Sequence, residues 1–134
     1  MRRRRTNDGS TGVPVMQAGP FQVGHINGIS VVEVAGDVDL SNVHMLQTAL
    51  DRAAETGNSA VVVSLGGSAY FDSQGMHILV RFNRQLELTG RRLVMVVPWH
   101  HPLKAVLDSL GEAVNVTVVQ TLAEALTVAQ QPRI

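Results

Sequence analysis

A near-continuous apolar run, Ala60-Val-Val-Val-Ser-Leu65, lies between two stretches of helical periodicity. A six-residue, almost wholly apolar run with three consecutive valines, between breakers, reads as a strand buried on both faces. Such a strand needs helices above and below it, which points to an α/β layer architecture.

The rest of the chain from Phe21 agrees. Phe21 to Ile26 reads as a short strand, Asn27-Gly28 as a tight hairpin turn, and Ile29 to Ala35 as a second strand ended by Gly36. Ser41 then suits a helix cap, followed by Val43, Leu46, Leu50 and Ala53/Ala54 at helical spacing, with Gly57 closing the helix. After the central run, Gly66-Gly67-Ser68 loosens the chain. A second helix is expected from Asp72/Ser73 to about Thr89, before Gly90. Leu93 to Val97 is a further buried strand. Pro102 suits the first turn of a third helix over Leu103 to Leu110, stopped by Gly111. Val114 to Val119 is a last strand, and Thr121-Leu-Ala-Glu124 is a capping box that opens a final helix. The order β-β-α-β-α-β-α-β-α predicts a single α/β domain with a mixed sheet of about five strands, its helix-linked crossovers parallel and right-handed.

Residues 1–20 differ in kind. They are rich in Arg, Gly, Ser, Thr and Pro and show no periodicity. This composition predicts a disordered basic tail, dispensable for folding, before a domain over 21–130 and a short C-terminal tail over 131–134. Arg2 to Arg5 lack the apolar segment that a signal peptide needs, so a cytoplasmic location is expected. No apolar run approaches the ~20 residues of a membrane span. The formal net charge is zero, but from Phe21 onward seven basic residues face ten acidic ones, a balance of −3. That argues against a nucleic-acid-binding face. The absence of cysteine removes disulfides, zinc–thiolate sites and thiol chemistry together. The sequence sets no oligomeric state.

Tyr70-Phe71-Asp72-Ser73-Gln74-Gly75 is the most unusual local sequence, at the passage from a buried strand to a helix. A serine at a helix start ordinarily caps it. The functional reading is that a small hydroxyl there is a good phosphoryl acceptor, because free N–H groups and the positive end of the helix dipole would meet the phosphate. Gly75 would let another backbone come close. Asp37 and Asp39, in Gly36-Asp-Val-Asp39, leave the second strand. If that strand lies beside the central one, both carboxylates emerge at the same sheet edge as Ser73. The plain reading, a solvated turn, suits Asp37 better than Asp39. On the second helix Ile78/Leu79, Phe82 and Leu86 form a core stripe. Ser73, Met76/His77, Val80 and Arg84 form a second stripe, expected to be partly exposed as a docking face to which Met lends adaptability.

Other chemistries find little support. His100-His101, with His77, lacks the spacing of a metal site. Gly-x-Ser-x-Gly is absent, the acidic pair, Asp and Lys of a response-regulator receiver are not in place, and Gly66-Gly67-Ser68 is no phosphate-binding loop. No cofactor is implied, and an esterase built on Ser73, Asp39 and a histidine is a remote reading.

These blocks resemble the STAS domain family. Gly36-Asp37-Val38-Asp39 looks like its Gly-x-Leu/Val-Asp, and Val61 to Leu65 followed by Phe71-Asp72-Ser73-Gln74-Gly75-Met76 looks like its strand and Asp-Ser-Ser/Thr-Gly-Leu helix start. Gly90-Arg-Arg-Leu-Val-Met-Val-Val, Leu107-Asp-Ser-Leu-Gly111 and Thr121-Leu-Ala-Glu-Ala-Leu126 match further blocks in order, over about Phe21 to Ala129. Ser64 stands where the family usually has Asp or Asn. Gln74 stands where it has Ser or Thr, which leaves Ser73 as the motif's single acceptor.

A small domain of this kind most resembles bacterial anti-sigma factor antagonists, which switch partners in stress responses. The resemblance implies a non-enzymatic protein that binds an anti-sigma factor serine/threonine kinase when unphosphorylated and so frees a sigma factor. It implies phosphorylation of Ser73, supported by Asp37, Asp39, Asp72 and Gly75, and reversal by a phosphatase. The partner face would comprise Met76, His77, Val80 and Arg84. The rival reading is a STAS subunit or scaffold of a transport or stressosome-like complex that works without phosphorylation.

Overall fold

The computed structural model describes residues 16–55, 59–114 and 116–131. Ten elements follow one another: β1 (Met16–Ala18), β2 (Phe21–Ile26), β3 (Ile29–Val34), α1 (Val43–Ala54), β4 (Ala60–Ser64), α2 (Ser73–Glu87), β5 (Arg92–Val96), α3 (Leu103–Val114), β6 (Thr117–Val119) and α4 (Leu122–Gln130). The strands form one mixed sheet in sequence order. β1, β2 and β3 pair antiparallel, and β3, β4, β5 and β6 pair parallel. Asn27 and Gly28, both with positive φ (53° and 81°), make the β2–β3 turn. Such a turn matches the twist of the strands it joins, and Asn and Gly adopt that backbone at least cost.

Side chains alternate through the sheet with a period of two. Val32, Val34, Val61, Val63, Leu93 and Met95 face one core, where Leu46 and Leu50 of α1, Leu79 and Phe82 of α2, and Leu103 and Leu107 of α3 cover them. Val31, Ala60, Val62, Val94 and Val96 face the other, under Ala125 and Ala129 of α4. The central run is thus buried on both faces, as its composition requires. The capping box forms as expected: the Glu124 amide donates to Thr121 Oγ1 at 3.1 Å, and the Thr121 amide donates to Glu124 Oε1 at 3.1 Å.

Three details depart from the sequence reading. The sheet gains a sixth strand, β1, inside the segment read as a tail. Its register is Met16 with Val23 and Ala18 with Phe21, and the Ala35 amide donates to Pro20 O at 2.7 Å. The third helix does not stop at Gly111 but runs through it to Val114, so the last strand starts only at Thr117. The first helix begins at Val43, behind Asn42 instead of Ser41. The expected stop at Gly57 lies outside the described residues.

β1 covers one edge of β2. Truncation through Pro20 is therefore expected to lower the thermal midpoint by roughly 3–6 °C relative to truncation through Val15, the effect of about 1 kcal/mol in a domain of this size. Equal midpoints in calorimetry would show that β1 contributes nothing.

Candidate functional site

Parallel pairing of β3 with β4, in the register Ser30 with Val61 through Glu33 with Ser64, sends both chains out at the same edge of the sheet. The two exits then join each other. Val38 and Phe71 form a parallel bridge beyond the strands. The Val38 amide donates to Tyr70 O at 2.9 Å, and the Asp72 amide donates to Val38 O at 2.8 Å. Val38 is fully buried and Phe71 nearly so, so this bridge is anchored in the core as well as hydrogen-bonded.

Around it the acidic residues take separate roles. Asp37 Oδ1 accepts from the amides of Ala69 (3.3 Å) and Tyr70 (3.1 Å), which ties the β3 exit to the loop before α2. Asp39 stays local: its Oδ1 accepts from the Ser41 hydroxyl (2.5 Å) and the Ser41 amide (2.9 Å) at the entry to α1. Those bonds, the hydroxyl first, hold the Asp39 carboxyl below its ordinary value of 3.8. Asp39 is thus ionised across the neutral range. Any stability this contributes is present above pH 3.8 and is lost as pH falls through the lower folded value. The sequence suggests a solvated turn more for Asp37 than for Asp39, yet it is Asp37 that makes the long-range bonds and Asp39 the local ones.

Asp72 is the N-cap of α2. Its Oδ1 accepts from the Gln74 amide at 2.7 Å, and its carbonyl accepts from the amides of Gly75 and Met76. Ser73 is therefore the first helical residue and not the cap. The neighbouring carboxylate performs the capping, and Ser73 stands exposed at the N-terminal end of the helix.

Gly75 makes room for a ring instead of a backbone. A Cβ there would lie 2.5 Å from Cε2 of Phe71. Gly75→Ala is expected to displace the Phe71 ring from its place beside Val38 and to cost about 1–3 kcal/mol, as overpacking does. Urea denaturation reads this directly, and an unchanged midpoint would show that the ring moves freely.

The second stripe of α2 divides. His77 and Arg84 are exposed and Val80 is half-buried, but Met76 is only 5% exposed and belongs to the core with Leu79 and Phe82. The expectation of a partly exposed Met76 is corrected: α2 is rotated so that the core stripe includes it. Met76, His77 and Val80 nevertheless border a groove toward α3 that starts at Ser73 and also takes in Arg81. The sequence reading missed Arg81, although it follows His77 by four residues on the same face. The two adjacent histidines separate. His101 is buried and its Nδ1 accepts from the Leu103 amide at 3.0 Å, capping α3, while His100 is exposed. Among the described residues no group of His, Cys, Asp or Glu is placed to hold a metal ion, and no helix is long and apolar enough to cross a membrane.

Comparison with known proteins places this geometry. A family model described as the STAS domain matches residues 20–125. No curated protein matches the chain in sequence. Among solved structures, an anti-sigma factor antagonist from Mycobacterium paratuberculosis is similar, with 22% identity, 83% of this chain and 93% of that one covered, and a TM-score of 0.73. The Bacillus cell fate determinant SpoIIAA in its phosphorylated form is similar at 19% identity, 82% and 99% coverage and a TM-score of 0.64. The murine Solute Carrier 26 family member A9 anion transporter is similar at 16% identity and a TM-score of 0.59, with 79% of this chain matching 18% of that one. At these identities the likeness shows a shared fold.

Proposed function

The chain belongs to the STAS domain family, and we propose that within it this protein is an anti-sigma factor antagonist controlled by phosphorylation of Ser73. In the unphosphorylated state it binds an anti-sigma factor that is a serine/threonine kinase and thereby frees a sigma factor. The kinase then transfers a phosphoryl group from ATP. A bond forms between Ser73 Oγ and the γ-phosphorus, the bond to ADP breaks, and the hydroxyl proton leaves to a base on the kinase. A phosphatase resets the switch. The chain supplies the acceptor and the docking face and carries out no catalytic step of its own.

The observation that carries this reading is the division of labour between Asp72 and Ser73. Asp72 satisfies the helix start, so the Ser73 side chain is exposed and spared a structural task. Asp37, through Ala69 and Tyr70, and the Val38–Phe71 bridge hold the surrounding loop in place. The half-buried Val80 with His77 and Arg84 extends the surface along α2, where the kinase would dock. The similar folds of an anti-sigma factor antagonist and of SpoIIAA, an anti-sigma factor antagonist solved in both unphosphorylated and phosphorylated forms, support the same role. The bacterial and cytoplasmic setting belongs to this proposal.

The transporter likeness favours a second reading, in which the domain binds a larger complex without phosphorylation. Intact-mass measurement after incubation with anti-sigma-type kinases and ATP separates the two. A single added phosphoryl group, absent in Ser73→Ala, supports the switch. No mass change with any kinase that binds the protein would favour the second reading.

A further inference from the structure

The groove between α2 and α3 has a volume of about 660 Å3, within the range of ~300–1,000 Å3 typical of small-molecule sites. Its walls are apolar. Met76 and Val80 line the α2 side, Leu103 and Val106 the α3 side, and Phe71 closes one end near Ser73. Val106 is 45% exposed, a large aliphatic side chain turned to water. The polar part comprises Ser73, His77 and two arginines. Arg81 and Arg84 border the groove, and none of the described residues lining it is acidic. Neither groove arginine belongs to the ion pairs Arg52 with Glu55 or Lys104 with Asp108.

We propose that this groove binds a free alkyl amphiphile with one anionic head group, of the fatty-acid class. The chain lies along Met76, Val80, Leu103 and Val106, and the carboxylate meets Arg81 and Arg84. Three features select this chemistry. Two facing apolar walls bury a slender chain on both sides, where a single exposed stripe would not. The cations lie toward one end of the groove, which suits a ligand charged at one end. From Ser73 to Arg84 the helix rises about 16 Å, comparable with an extended medium-length alkyl chain. An arginine fork also pairs a carboxylate with two parallel hydrogen bonds.

The test uses the full chain without any kinase, so its failure leaves the reading of Ser73 standing. Dodecanoate, below its micellar concentration, is titrated into the isotope-labelled protein and followed by amide NMR, with dodecanol and dodecyltrimethylammonium as controls. Saturable shifts confined to α2 and α3 are expected. The double variant Arg81→Glu/Arg84→Glu, checked for its fold by circular dichroism, should bind dodecanoate at least about tenfold more weakly while dodecanol binding is unchanged. Val80→Trp, which fills the groove, should remove both. The absence of saturable shifts, shifts scattered over the surface, or equal binding of the cationic amphiphile would overturn the proposal. So would shifts in these residues caused by an acidic helical peptide but not by dodecanoate, which would make the groove a protein-docking face.

Discussion

Phosphorylation of Ser73 is expected to reduce affinity for the cognate kinase by at least about 100-fold, equivalent to about 2.7 kcal/mol, with no loss of helix. The phosphoserine adds about −1.5 to −2 charges at pH 7. It adds them at the N-terminus of α2, where the positive end of the helix dipole favours an anion. The helix therefore has no reason to melt. What changes is the surface: a patch that already carries Asp72 becomes bulkier and more anionic. A partner shaped to a bare hydroxyl then meets a clash and an unpaired charge. Ser73→Ala should bind the kinase and accept no phosphate, and Ser73→Asp should bind poorly. Calorimetry on the purified phosphorylated protein, paired with circular dichroism, reads both halves. Loss of helical signal, or stoichiometric phosphate on Ser73→Ala, would refute this mechanism.

Met76→Asp and Val80→Asp are expected to differ sharply although the residues are one turn apart. Met76 lies in the core, and truncating such a side chain alone costs about 2–5 kcal/mol. A buried, unpaired carboxylate adds to that, so Met76→Asp should unfold the domain or nearly so. Val80 is half-buried at the groove. Val80→Asp should leave the domain folded, at a cost of about 1 kcal/mol, while weakening kinase binding at least tenfold. Thermal melts and binding assays on both variants distinguish the two. A folded Met76→Asp protein would contradict the packing described for α2.

Features set by local chemistry were legible in the sequence: the Asn27-Gly28 hairpin, the doubly buried β4 and the capping box at Thr121. So was the convergence of Asp37 and Asp39 with Ser73 on one sheet edge, because parallel pairing of β3 with β4 follows from the crossover between them. What escaped depended on distant partners. β1 is three residues long with no periodicity, and it is a strand only because β2 lies alongside. Gly111 breaks helices locally, at about 1 kcal/mol, but α3 continues through it. The bonding of Asp37 was not legible because its hydrogen bonds span 32 and 33 residues, whereas the Asp39 bonds to Ser41 span two. Met76 sat between two stripes, and which way it turns is decided by the sheet beneath α2.

The bridge between Val38 and Phe71 bears on how a kinase would recognise its target. Many phosphorylation sites lie in pliable loops that are drawn straight into the enzyme's cleft, with recognition resting on flanking residues as a linear string. Ser73 offers no such string. Its backbone is already committed to a helical turn, and the amide just before it is fastened to another strand's extension. An enzyme that modifies it must accept a preformed three-dimensional shape, so little chain entropy is lost on docking. It also follows that a short peptide copied from this stretch would be a poor mimic. Selectivity among related proteins would then reside in the contour assembled from both loops, which lets the amino acids near the acceptor vary widely while the pairing of kinase and target is retained.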